Sequence, residues 1–280
     1  MIESVGILHP GEMGSSLAQT VHNTVGKVYW CSQGRSEATR TRAEQHGLLE
    51  ITTLTEFCQR CALIIGVCPP HAAQQLAQSL VAAGYQGLYL EANAIAPATV
   101  QHLAAMLAAA GITLVDGGIV GLPAKARGTT WLYLSGPRAD EVRQCFTAGP
   151  FESVVLGPHV GQASALKMLY AAWNKGKTAL WGATLAAAEH YGVRNALEIQ
   201  FDQHAAGQTA AMHNQLRSVA RKAWRFTGEM EEIAATLAAS GAPPEFFVAA
   251  AEVYHQQRHC KDRAEPPPLP ELLHLITKPD

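Results

Sequence analysis

Apolar residues follow two different patterns along this chain. Up to about Gly161 they come in short runs: "SVGIL" from Ser4, "KVYWC" from Lys27, "ALIIGV" from Ala62, "GLYLEA" from Gly87, "ITLVDG" from Ile112, "TWLYLSG" from Thr130 and "SVVLGPHVG" from Ser153. Each run is bounded by Gly, Pro or polar turn residues, the mark of a buried strand. Between them lie "MGSSLAQTVHN", "SEATRTRAEQHG", "AAQQLAQSLVAAG" and "PATVQHLAAMLAAAG". Their apolar residues fall at helical spacing, and several close on a glycine suited to the position after a helix. Strand and helix in alternation predict an α/β domain, doubly wound, with a mostly parallel sheet and helices on both faces.

Beyond Gly161 the pattern changes to Ala-rich helix as far as about Gly241. The first of these helices reaches toward Tyr191, about 30 residues or on the order of 45 Å at 1.5 Å per residue. Being apolar nearly all round, it predicts a buried spine. The organisation expected is an N-terminal domain over 1–158 joined by this long interdomain helix to an all-α domain over 159–280. "EPPPLP", Glu265 to Pro270, predicts an extended, polyproline-like tail.

Composition narrows the function classes. With 48% hydrophobic and 16% charged residues among 280, the chain has apolar material for two folded domains. A formal net charge of −2 gives no electrostatic footprint for nucleic acid. The N-terminus enters a strand without a charged leader, so no secretory signal is expected and a cytoplasmic location is the default. Lys167, Asn174, Lys175 and Lys177 interrupt the long helix short of the roughly 20 clean apolar residues a membrane span needs. Six scattered cysteines point to reduced thiols rather than disulfides. "CQRC", Cys58 to Cys61, has no partner pair for zinc and reads as helix cysteines. His255 and His259 have helical i, i+4 spacing without the glutamate of HExxH and read as an exposed helix face. No metal is expected. Arg217, Arg221 and Arg225 recur every four residues, a basic stripe explained by pairing with Glu229, Glu231 or Glu232 or by simple solvation, with a partner-subunit contact to an acidic substrate as the sharper alternative.

The first strand runs into "HPGEMG", residues 9–14, and then a helix. That is the place of the dinucleotide fingerprint GxGxxG, whose second glycine admits the pyrophosphate and whose third lets helix and strand pack closely. Gly11 and Gly14 fit these two, and His9 replaces the first glycine. An acid about 20 residues on would hold the ribose 2′-hydroxyl of NAD. Here the second strand ends at Cys31 and continues Ser32, Gln33, Gly34, Arg35 and Ser36, with no carboxylate before Glu37. Hydroxyls and an arginine suit a 2′-phosphate, so NADP is expected ahead of NAD.

With "HPGEMG", "LEANAIAPATV", "DGGIVGLPAKARGTT" and "GQASALKMLYAAWNKG" in this order, the chain resembles the β-hydroxyacid dehydrogenases, the superfamily of 3-hydroxyisobutyrate and 6-phosphogluconate dehydrogenases. The resemblance covers most of the chain and is nearest to a branch with its own C-terminal helical domain. It implies an N-terminal α/β Rossmann domain, a long interdomain helix leading to an all-α C-terminal domain, a small-molecule substrate, a homodimer formed through the helical domain and an active site between domains. Asn93 and Pro97 match the loop near nicotinamide, Gly121 the first glycine of the substrate loop, Gly128 and Thr129 its end, and Gly161 and Lys167 the glycine and catalytic lysine of the long helix. Three positions depart from the family. Val120 stands for its substrate-binding serine, Leu122 for the next glycine and Ala171 for its asparagine, which implies a more apolar pocket than the family norm.

The expected cofactor residues are then His9, Pro10, Gly11, Glu12, Met13, Ser32, Arg35, Cys68, Pro69 and Asn93. Ile119, Val120, Gly121 and Tyr170 are expected at the substrate, and Lys167 and Asn174 in catalysis. Moving hydride to or from a carbon that bears a hydroxyl requires a group that takes or gives the hydroxyl proton. A lysine among apolar residues beside a cationic ring serves both directions. Asn174, seven residues on and nearly on the same helix face, is expected to stand in for the missing asparagine. The function expected is an NADP-dependent oxidoreductase acting on a hydroxyl or carbonyl. The alternatives are imine reduction on the same fold, or a nucleotide-binding sensor without turnover.

Overall fold

The computed structural model describes residues 2–261 and 263–277. They divide into two compact units, Met1–Met168 and Leu169–Asp280.

The first unit alternates as the apolar runs require: β1 (Val5–Ile7), α1 (Glu12–Val25), β2 (Val28–Cys31), α2 (Glu37–Gln45), β3 (Leu49–Ile51), α3 (Leu54–Arg60), β4 (Leu63–Gly66), α4 (Ala73–Ala82), β5 (Leu88–Glu91), α5 (Pro97–Ala109) and β6 (Thr113–Val120). β7 (Thr130–Ser135), α6 (Ala139–Arg143) and β8 (Phe151–Gly157) complete the sheet, and α7 (Gln162–Ala171) leaves it. The strand order is β3-β2-β1-β4-β5-β6-β7-β8, with β6 and β7 antiparallel and every other neighbouring pair parallel. β1, β4 and β5 are buried throughout, as strands covered on both faces must be. One face packs Leu17, Val21, Trp30 and Phe146, the other Phe57, Leu76, Tyr89 and Leu103.

The second unit is helical. The spine continues from α7 through a π-helical turn, Ala172–Gly176, into α8 (Lys177–His190), followed by α9 (Arg194–His204), α10 (Gln208–Ala220), α11 (Ala223–Ser240), α12 (Glu245–His255) and α13 (Leu269–Thr277). The π turn frees backbone carbonyls from the regular ladder, and hydroxyls take them up. Thr178 donates to the Asn174 carbonyl at 3.0 Å and Tyr254 to the Lys175 carbonyl at 2.8 Å. The Lys175 ammonium pairs with Glu229 and lies 4.1 Å from the Phe226 ring centroid, a cation–π contact.

Three sequence expectations change here. The tail is not extended throughout: α13 starts at Leu269, and its Leu272 and Leu273 are buried with Leu185, Met212 and Leu216. The arginine stripe is split between α10 and α11, and among the described residues Arg217 donates to the Pro267 carbonyl at 3.3 Å rather than to an acid. α12 ends at His255 and His259 sits in a 3₁₀ turn, so the two histidines do not share a helix face.

Candidate functional site

β1 leads outward to β2 and β3, and the chain then returns to β4 on the other side of β1. At such a reversal the connections after the two central strands part, leaving a crevice at the carboxyl ends of the strands. The segment after β1 is the His9–Gly14 turn. Gly11 donates its N–H to the His9 carbonyl at 2.8 Å, and α1 begins at Glu12 with no side chain among the described residues bonded to its first turn. A Cβ on Gly11 would meet nothing within 4 Å, whereas one on Gly14 would lie 2.2 Å from the His9 carbonyl oxygen. One glycine leaves the turn open to a ligand and the other lets the helix close on the strand. Ser15 Oγ and Arg42 Nη1 both donate to the Pro10 carbonyl, at 3.2 and 3.3 Å. Glu12 is exposed and Met13 half-buried.

Four expected residues from four strand ends converge electrostatically. Burial, then the Arg35 charge, lowers the His9 pKa to about 4, so its imidazole is neutral at physiological pH. Burial also lowers the Arg35 guanidinium, against the pull of Cys31 and Cys68. The Cys68 thiol is pushed up to about 12 by burial first and Glu91 second, with Asn93 and Arg35 opposing. Cys68 N–H donates to Asn93 Oδ1, tying the loop after β4 to the loop after β5. Pro69 beside it is exposed. Among the described residues, His9 Nδ1, Arg35 Nε and Asn93 Nδ2 are buried atoms that lack a hydrogen-bond partner. Burying such an atom unpaired costs about 1–3 kcal/mol, and these three lie in the segments that follow β1, β2 and β5. With the open glycine turn, this donor-rich set fits a dinucleotide.

Sequence reasoning missed two acids beneath this rim. Glu91, fully buried at the end of β5, accepts from the Tyr89 hydroxyl at 2.9 Å and from Asn93 N–H at 2.9 Å. It thereby shapes the turn that presents Asn93. Its register partner on β6 is Asp116. Asp116 Oδ2 accepts from the N–H groups of Gly161, Ala163 and Ser164 at 2.9, 3.0 and 3.1 Å and from Ser135 Oγ at 2.9 Å, and Oδ1 accepts from Ser164 Oγ at 2.6 Å. A strand carboxylate thus satisfies the open N–H groups of α7. The only sequence signal for either was a single acid at the end of an apolar run, "GLYLEA" or "ITLVDG".

Lys167 lies one turn into α7 and is half-buried. Its Cβ would be 3.1 Å from a Cβ placed on Gly118, and the Ala163 carbonyl 2.4 Å, so a residue without a side chain is needed for α7 to approach β6. Ile119 and Val120 are buried in β6 opposite Leu132 and Trp131, with Ile119 packed into the core, and Gly121 follows at φ +126°. In the second unit Tyr170 is half exposed, and Asn174 Nδ2 donates to its carbonyl at 3.2 Å. Asn174 sits inside the π turn, so the 3.6-residue phase that aligned it with Lys167 does not hold. Ser32 is buried at the end of β2, and the structure brings to it a carboxylate absent from the expected set, Glu50 of β3. Among the described residues no group of three or more His, Cys, Asp or Glu is placed to hold a metal ion, and no helix is long and apolar enough to cross a membrane.

Comparison with known proteins agrees with this architecture. An uncharacterized 28.5 kDa protein of Methanothermus fervidus is 27% identical over 177 residues, 63% of this chain and 67% of that protein. A conserved protein of unknown function, described as structurally similar to 3-hydroxyacid dehydrogenases, is 26% identical and superposes with a TM-score of 0.66 over 93% of this chain and all of that one. Mycobacterium tuberculosis 3-hydroxyisobutyrate dehydrogenase with L-serine shares the fold at 16% identity and a TM-score of 0.70, over 99% of this chain and all of its own. So does an imine reductase of Bacillus cereus, at 15% identity and a TM-score of 0.54, over 99% of each chain. Residues 188–257 match a domain of unknown function, DUF1932. Residues 4–148 match the NAD binding domain of 6-phosphogluconate dehydrogenase, and with just over half of its length inside that model the chain belongs to this nicotinamide-dinucleotide-binding family.

Proposed function

We propose that the protein is an NADP-preferring oxidoreductase of the hydroxyacid dehydrogenase type, acting on a small molecule that carries a hydroxyl or carbonyl group. The observation that carries this reading is the trio of unpartnered buried atoms on His9, Arg35 and Asn93 around the open Gly11 turn. Gly11, Glu12 and Met13 would hold the pyrophosphate at the start of α1, with His9 and Pro10 shaping the turn. Ser32 and Arg35 would take the 2′-phosphate, and Cys68, Pro69 and Asn93 the nicotinamide end. The cofactor, when bound, supplies or accepts the hydride. Lys167 takes or gives the hydroxyl proton. Asp116 fixes the start of the helix from which Lys167 projects, and Gly118 sets how close that helix comes. Ile119, Val120 and Gly121 border the substrate on the first unit, and Val120 in place of a hydroxyl makes that border apolar. In the second unit the Asn174 amide donates to the Tyr170 carbonyl, so one of its protons is engaged by its own helix.

The second unit also supports assembly as a homodimer. Trp173 is 71% exposed and Tyr191 76%, and Leu169, Tyr170, Leu180, Val193 and Ile199 are at least half exposed. Large apolar side chains so concentrated in one helical stretch favour a partner surface.

A cofactor-linked absorbance screen over hydroxyacids, ketoacids, apolar alcohols and cyclic imines tests the reading, run beside Lys167→Met. Methionine keeps the apolar stem and removes the ammonium. Turnover is expected to fall ~10²- to 10⁴-fold with NADPH affinity unchanged. Loss of less than about one decade would remove Lys167 from the chemical step. Failure of every substrate with intact cofactor binding would favour the sensor instead.

A further inference from the structure

The short edge strand β3 brings a carboxylate to a place where the sequence shows none. β3 runs parallel to β2, with Trp30 opposite Glu50 and Cys31 opposite Ile51. Side chains alternate faces along a strand, so Ser32, two residues past Trp30, shares a face with Trp30 and with Glu50. Ser32 N–H continues the ladder, donating to the Ile51 carbonyl at 3.0 Å, which holds its side chain in that register. α2 packs on the same face through Ala43, and from it Arg40 Nη1 reaches Glu50 Oε1 at 2.5 Å. The neighbouring Ser32 hydroxyl first, and Arg40 second, hold the Glu50 carboxyl below its ordinary range, so it is ionised at neutral pH.

We propose that the Arg40–Glu50 pair sets the dinucleotide preference of the first unit, Glu50 favouring a free ribose 2′-hydroxyl and Arg40 a 2′-phosphate. The proposal rests on the reading above that this unit binds a nicotinamide dinucleotide. At the end of the second strand of such a sheet a carboxylate accepts a hydrogen bond from the 2′-hydroxyl, and an arginine accommodates the 2′-phosphate. This chain carries both, locked on each other. Their side chains are 41% and 37% exposed, and an exposed pair of this kind is weakly held, so Arg40 can turn a free guanidinium N–H to a phosphate while it stays paired with Glu50. With Arg40 in place the charge of Glu50 is neutralised and Arg35 is left to act on the phosphate. Without Arg40 the ionised Glu50 repels a phosphate and accepts a hydroxyl.

Calorimetric titration of the full chain with NADPH and with NADH tests this, comparing the wild type with Glu50→Gln and Arg40→Ala. Both substitutions fall on exposed side chains and leave the core untouched. The ratio of the two dissociation constants should shift toward NADPH by about 3- to 10-fold in Glu50→Gln and toward NADH by a similar factor in Arg40→Ala. Ratios within twofold of wild type in both variants, or shifts in the same direction, overturn the proposal. The wild-type ratio is decided separately. A wild type that prefers NADH removes the NADP reading, while the two opposite shifts still establish the pair, and a chain that binds neither dinucleotide overturns both.

Discussion

Glu91 gives the first unit a pH dependence that a surface acid could not. Burial above all, with Asp116 nearby, pushes its carboxyl from the ordinary 4.5 up to about 8, against the bonds from Asn93 and Tyr89 that favour the ion. Between those two values the folded protein keeps a proton that the unfolded chain has released, so stability falls as pH rises through that window. His9 acts in the opposite sense: with its imidazole lowered from 6.5 to about 4, stability falls as pH drops through 6.5 toward 4. The two contributions oppose each other where the windows overlap, and above about 6.5 Glu91 acts alone. Glu91→Gln keeps an acceptor for Asn93 N–H and removes the proton. Denaturant unfolding at pH 6.5 and pH 8, above the His9 window, should show the wild type losing about 1–2 kcal/mol between them and the variant much less. Equal losses in the two proteins would mean that Glu91 titrates normally.

Helix α7 depends on an acid that is remote in sequence. Asp116 accepts from three of its N-terminal N–H groups and from two hydroxyls, and asparagine offers one acceptor oxygen where the carboxylate offers two. Asp116→Asn should destabilise the protein by about 2–4 kcal/mol, read by thermal unfolding, and, on the role proposed for Lys167, lower turnover with it. A melting temperature within a degree of wild type would show that the cap is dispensable. The contrast between α7 and β3 shows how far elements can be read from the chain. The long helix, the alternation of strand with helix and the place of the fingerprint turn are local patterns, and each was legible. β3 is three residues with an exposed charge at its centre, Leu49-Glu50-Ile51, and carries no apolar run. Sheet order is not local either, so nothing in the sequence told that Glu50 would reach Ser32 or that Asp116 would meet Gly161. For the same reason Lys167, Asn93 and Arg35 could be proposed from motif position, while the contacts of Glu91, Asp116 and Glu50 needed the fold. Asn174 was named from a phase that the π turn interrupts.

At the scale of the molecule, the exposed Trp173, Tyr191 and their neighbours predict association through the second unit. Light scattering at micromolar concentration should report twice the mass of one 29.9 kDa chain, and a single-chain mass would rule out the dimer. The cysteines add a tool of a different kind. Cys31, Cys58, Cys61, Cys145 and Cys260 are buried and Cys68 is half-buried, with burial raising every thiol above its ordinary value. A thiol that is both shielded and protonated reacts slowly, so alkylation must wait for the chain to open. Five of these cysteines lie in the first unit and one, Cys260, in the second. Under a pulse of alkylating reagent the native protein therefore carries its own pair of clocks: mass increments that arrive together in a block of five time the opening of the sheet unit, and the lone sixth times the helical unit, with no label introduced. Rapid modification of the native protein before either event would show that the thiols are more accessible than their burial allows.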